Sequence, residues 1–224
     1  MKIRAKDFFS RTEKERIKKS VRAAEVQTSG EIAVMLVNES DRYREAEVAG
    51  TVAVASLAST VIALVLDHLI ASSWAVVPDP HYTSIWFWIP STVVLLVPVW
   101  CLFRLFPPLK LALVGEKRVE SAVREQSLLS FYKKGLHRTR SRTGILIFIS
   151  LLERKVRIMG DQGIHAKIGQ GFWDVRAGEL VKGIREGRTL DALTEVIKKC
   201  GEELAIHFPS CPDNPDEIPN DVIC

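Results

Sequence analysis

Residues 48–66 and 82–103 contain no Asp, Glu, Lys or Arg, and the second run carries Trp86, Phe87, Trp88 and Trp100. A hydrocarbon core roughly 30 Å thick takes about 20 mostly apolar residues to cross, and both runs reach that length. The whole-chain averages, 47% hydrophobic and 26% charged, are those of a soluble protein, so the information lies in how unevenly the apolar residues are spread. The pattern predicts two membrane spans, at about 47–67 and 83–105, in a hairpin over 46–106. Pro90 and Pro98 fall inside the second span, where neighbouring groups can satisfy the freed backbone, and predict a kink. Ser56, Ser59, Thr60, Ser91 and Thr92 are small hydroxyls of the kind that serve packing between spans. Residues 1–15 are charged throughout and lack the apolar core of a cleaved signal peptide.

Orientation follows from Lys and Arg, which resist translocation in short flanks. The segment between the spans, 67–81, has neither residue, whereas Arg42 and Arg44 precede the first span and Arg104, Lys110, Lys117 and Arg118 follow the second. Both termini are therefore expected on the cytoplasmic side of an inner or plasma membrane. The four cysteines show no CxxC or Cys/His metal spacing and are read as reduced thiols, with Cys200 at an apolar helical position.

On either side of the hairpin the pattern is that of a soluble α/β domain. Ser10-Arg11-Thr12-Glu13 is a capping box. Ile17, Val21 and Ala24 then share a helical face, with Gly30 as the stop. The nearly continuous apolar run 31–37 suits a strand covered on both faces. After the spans, 116–134 has helical spacing, and the runs 145–149 and 156–159 predict an antiparallel hairpin turning near Glu153 and Arg154. Two amphipathic helices follow, marked by Trp173, Ala177, Leu180, Val181 and Ile184, then by Leu190, Leu193, Ile197, Cys200 and Leu204. One strand before the hairpin and two after it cannot close separate cores. Residues 1–42 and 116–208 are expected to form one α/β domain, a small central sheet sandwiched by helices and interrupted by the hairpin. The tail, 209–224, alternates proline with acid and is expected to be extended, packing in part on the domain.

Several motifs in this order resemble the TPM-domain family: Ser29-Gly30-Glu31-Ile32, Arg142-Thr143-Gly144-Ile145-Leu146-Ile147-Phe148 and Gly160-Asp161-Gln162-Gly163-Ile164-His165 come first. Gly169-Gln170-Gly171-Phe172-Trp173, Gly187-Arg188 and Asn214-Pro215-Asp216-Glu217-Ile218-Pro219-Asn220 continue it, so that it spans residues 8–42 and 117–222. The resemblance implies a small sheet between helices, and a family in which acid phosphatase activity and calcium binding are attributed to some members, while others act in photosystem repair or as membrane-associated auxiliary proteins. Thr143 and Gln170 stand where relatives tend to have Asn and Asp, which removes an amide and a possible carboxylate ligand.

The candidate chemistry is thin. Glu31 and Asp161 sit beside glycines at strand ends and are the candidate calcium ligands, against six to eight oxygens that calcium takes. Asp161 has an equally simple role as a turn residue. His165 lies one helical turn beyond it, as acid, base or ligand or as an ordinary polar residue. Arg140 and Arg142, within the basic stretch Lys133, Lys134, His137, Arg138, Arg140 and Arg142, could clamp a phosphate or face anionic lipid. Asp161, His165 and Arg142 are thus the candidate catalytic residues. Aromatic residues are not interleaved with these cations, which argues against nucleic acid. The sequence supports two expectations: a membrane-tethered binding or assembly module at the cytoplasmic surface, with lipids and other membrane proteins as partners, or a metal-influenced, phosphatase-like hydrolase.

Overall fold

The capping box forms: Ser10 Oγ accepts from the Glu13 N–H at 3.3 Å, and Glu13 Oε2 accepts from the Ser10 N–H at 2.7 Å. The computed structural model describes residues 4–71, 80–139, 142–210 and 220–223. Its elements run α1 (Ala5–Phe8), α2 (Arg11–Glu25), β1 (Glu31–Val37), α3 (Arg44–Ala71), α4 (Pro80–Leu105), α5 (Pro107–Leu113) and α6 (Glu116–Lys133). A 3-10 turn (Leu136–Arg138), β2 (Gly144–Ser150), β3 (Lys155–Gly160), α7 (Gln162–His165), α8 (Gln170–Arg185) and α9 (Thr189–His207) follow. Helix α2 ends at Glu25, short of Gly30. Thr28 Oγ1 donates to the Phe208 carbonyl at 2.6 Å and the Ser29 N–H donates to the same residue's oxygen at 3.0 Å, bonds that continued helix would forbid.

The chain divides into two units, Met1–Asp41 with Glu120–Cys224, and Arg42–Val119. In the first, β1 and β2 pair in parallel over their whole length, and β2 and β3 pair antiparallel, giving a three-stranded mixed sheet in the order β1-β2-β3. Alternate residues serve two apolar clusters, as strand periodicity requires. Ile32, Val34, Leu36, Ile145, Ile147 and Ile158 join Ile17 and Val21 of α2, Trp173 and Leu180 of α8, and Leu193, Ile197 and Leu204 of α9. Ala33, Leu146 and Phe148 join Val123 and Phe131 of α6 and Leu136. The unbroken apolar runs of β1 and β2 follow from this, since both sides of each strand are buried. Of the tail, residues 220–223 lie against β1: the Ile223 N–H donates to Val34 O at 3.0 Å, and Leu36 N–H to Ile223 O at 2.8 Å.

At the far end of the parallel pair a buried polar clamp joins the strands' exits. Glu153 is 8% exposed; its carboxylate accepts from the Ser40 N–H at 2.8 Å and from the Ser150 hydroxyl, and Ser40 Oγ donates to Ser150 Oγ at 2.9 Å. Each of these three side chains has a partner, which is what keeps such a cluster from destabilising the fold.

In the second unit α3 and α4 pair as a helical hairpin. Both are long and apolar enough to cross a membrane. Thr51, Ala55, Ser59 and Ala63 are buried at every fourth position of α3. Small side chains at this spacing let two helix backbones approach closely. A Cβ on Gly50 would stand 2.8 Å from Phe103 Cζ, so that glycine serves the same approach. Hydroxyls link the pair: Ser59 Oγ donates to Trp88 O at 3.0 Å and also meets Ser91 Oγ, and Trp88 Nε1 donates to Thr60 Oγ1 at 3.0 Å. Pro90 and Pro98 both lie inside the continuous α4. Lys110 of α5 forms an ion pair with Glu47 of α3.

Cys200 is fully buried in the core, and that burial pushes its thiol up to about 12 from an ordinary 9.0. The unfolded thiol ionises first as pH rises, so this group favours the fold fully below about pH 9 and the contribution is lost towards about pH 12. With the other three cysteines replaced by serine, Ellman's reagent at about pH 8 should leave the native protein unlabelled and label it fully in denaturant. Stoichiometric labelling of the native protein would contradict this burial.

Candidate functional site

The starts of β1 and β2 and the end of β3 meet at one end of the sheet. Glu31 pairs with Gly144, Ile145 pairs with Gly160, and the Asp161 N–H donates to the Gly144 carbonyl at 2.9 Å. Glu31, Gly144 and Asp161, the residue just past the end of β3, therefore form one row, two carboxylates flanking a position without a side chain. Gly144 is required by what covers it: a Cβ there would stand 2.4 Å from the Leu136 carbonyl oxygen. Leu136 opens the 3-10 turn, which follows Gly135 at φ +75°. Sequence reasoning missed this backbone approach. Its signals were Gly135 and Gly144 bracketing a buried leucine.

Thr143 holds the two strand entries together. Its hydroxyl donates to Ser29 O at 2.9 Å, its N–H donates to Thr139 Oγ1 at 3.1 Å, and its carbonyl accepts from the Glu31 N–H at 3.2 Å. Glu31 itself is 3% exposed. Asp161 caps α7, its Oδ1 accepting from the Gln162 N–H at 2.7 Å, while its Oδ2 is buried without a hydrogen-bond partner. The helical turn expected after Asp161 is present, and the His165 N–H donates to the Asp161 carbonyl at 3.0 Å. That bond joins backbones; the carboxylate is engaged with Gln162, and the His165 side chain is exposed.

Arg142 is exposed in the left-handed region at φ +51°, directly before Thr143. Lys133, Lys134 and Arg138 of the basic stretch are exposed, and the ring of His137 lies 5.0 Å from that of Tyr132. Arg140 lies outside the described residues, as do Cys211, Cys224 and the motif at 214–219. Gln170 begins α8 and donates through Nε2 to Asp174 Oδ1 at 2.9 Å, an i,i+4 pair on the helix surface.

As a calcium site this end of the sheet is short of ligands. Asp161 Oδ2 is an orphaned carboxylate oxygen and Glu31 shares its row, but two carboxylates and a carbonyl fall well below the six to eight oxygens calcium takes. No group of three or more His, Cys, Asp or Glu residues poised for a metal occurs among the described residues. A cleft of about 550 Å³ lies at the opposite end of the sheet, beside the β2–β3 turn, away from all of these residues.

Gly144→Ala should lower stability by about 1–3 kcal/mol, because the new methyl meets backbone rather than a movable side chain. Gly171→Ala, where a Cβ meets nothing within 4 Å, is the control and should not destabilise. Equal denaturant midpoints for the two variants would show that Leu136 does not cover the row.

No protein-family model matches the chain, and no curated protein matches it. Among solved structures the chain is similar to the NMR structure of BA42 protein from the psychrophilic bacterium Bizionia argentinensis. The TM-score is 0.55 at 19% identity, and the likeness covers 96% of this chain and 94% of that one. At that identity the likeness concerns fold, and it agrees with a mixed α/β architecture.

Proposed function

We propose that this chain is a membrane-anchored binding or assembly module of the TPM-domain family, with a sheet sandwiched by helices, interrupted by a transmembrane hairpin and facing the cytoplasm. The observation that carries the reading is the exposure of the two apolar helices. Within the span windows of α3 and α4 only 28% and 6% of residues are buried, where a core helix of a soluble protein would be mostly buried. Val52, Leu57, Val61, Leu64, Val93 and Val97 are among the large side chains turned outward. A continuous outward apolar surface of this length is expected to meet lipid.

Six residues, 38–43, join β1 to α3, a short tether. In this reading both ends of the hairpin lie inside, which the cations flanking the spans support. Lys133, Lys134, Arg138 and Arg142 can then meet anionic headgroups, each adding about 1 kcal/mol near the surface. A second reading, a metal-influenced, phosphatase-like hydrolase, is favoured by the row that sets Glu31 and Asp161 on either side of Gly144. The binding module is preferred because two carboxylates are few for metal-assisted hydrolysis.

Ile206 is 73% exposed near the end of α9, which makes Ile206→Cys in a cysteine-free background a reporter of sidedness. The protein should stay in the membrane pellet through an alkaline carbonate wash, and a membrane-impermeant maleimide should label the introduced thiol only after cells are opened. Release by carbonate would overturn the anchor, and labelling in intact cells would overturn the orientation.

A further inference from the structure

The β2–β3 turn, α1 and the last turns of α8 enclose the cleft of about 550 Å³, within the range of about 300–1,000 Å³ typical of small-ligand sites. Its walls are apolar, formed by half-buried Phe8, Val156, Val181 and Ile184. Its charged lining is cationic: Arg154 and Lys155 come from the turn and Arg185 from the end of α8. Among the described residues no Asp or Glu lines it. Of the acids adjacent in sequence to its lining, Glu153 accepts from Ser40 and Ser150, Glu186 pairs with Arg188, and Asp7 precedes Phe8 on α1. Arg154 sits at φ +53°, a left-handed turn position where glycine is the easy residue. A long cationic side chain is thus held at the mouth against its own backbone preference.

Apolar walls with three cations and no acid select a ligand that is itself divided, with a hydrocarbon part and an anionic end. Guanidinium forks suit phosphate or carboxylate oxygens. The volume suits one acyl chain rather than two. We propose that this cleft binds a single-chain anionic lipid, its chain along Phe8, Val156, Val181 and Ile184 and its head between Arg154, Lys155 and Arg185. The site is separate from Glu31 and Asp161, and it goes beyond the anchoring role by giving the α/β unit a lipid ligand of its own.

The test is a titration of the full chain in phosphatidylcholine nanodiscs with dodecyl phosphate, following the methyl shifts of Val156, Val181 and Ile184. Saturable shifts at these residues are expected, and Arg154→Gln with Arg185→Gln should weaken binding at least tenfold while leaving the remaining spectrum unchanged. Val181→Trp, which fills the cleft and keeps the charges, should abolish the shifts at Val156 and Ile184. Inorganic phosphate and dodecyl maltoside are the comparison probes. Equal binding of inorganic phosphate would reduce the site to a surface anion patch, and equal binding of the maltoside would reduce it to an apolar crevice; either result overturns the proposal. So would the absence of saturable shifts, or an unchanged affinity in the double variant.

Discussion

The parallel pairing of β1 with β2 is the contact on which the rest depends. It joins residues 31–37 to 144–150, so everything between must leave the sheet and come back. The entropic cost of closing a loop grows only logarithmically with its length; a tenfold longer excursion costs about 2 kcal/mol more. Here the excursion is itself folded, since α3 and α4 return the chain as a hairpin. The pairing then recruits both clusters at once: Val34 beside Ile147 serves one side of the sheet, and Ala33 beside Leu146 serves the other.

Two kinds of burial operate in one chain. In the α/β unit, large aliphatic residues and Trp173 are removed from water, which is the ordinary driving force of a soluble core. In the helical hairpin most large residues point outward, Phe103 being an exception, and small ones are buried, Thr51, Ala55, Ser59 and Ala63 among them. That inversion is what lipid as a solvent favours, because helices there gain little by hiding leucine and more by close backbone packing and shared hydroxyl bonds.

Much of this was legible in the residues. The capping box, the alternation hidden within unbroken apolar strands, the helical stripe ending in Leu204 and the two uncharged runs each carry a local signal with a physical cause. The four-residue spacing of small side chains in α3 was also present and could have named the packed face in advance. Other features were not readable locally. Helix α2 stops early because Thr28 and Ser29 bond to Phe208, a partner far along the chain. Gly144 is needed for a carbonyl that only the folded turn at Leu136 brings near. The row of Glu31 and Asp161 depends on register, while Arg154, Lys155 and Arg185 come together only when the β2–β3 turn meets α8.

The most direct measurement is a nitroxide scan of α3 and α4 in liposomes, comparing collisions with oxygen, which concentrates in the bilayer, and with a water-soluble nickel chelate. Nitroxides at Val54, Leu64, Val93 and Val97, all outward, should meet oxygen and escape nickel, while those at Ala55 and Ala63 should meet neither well. Equal access of nickel to the outward positions would mean that these helices face water or another protein, and would contradict the membrane anchor.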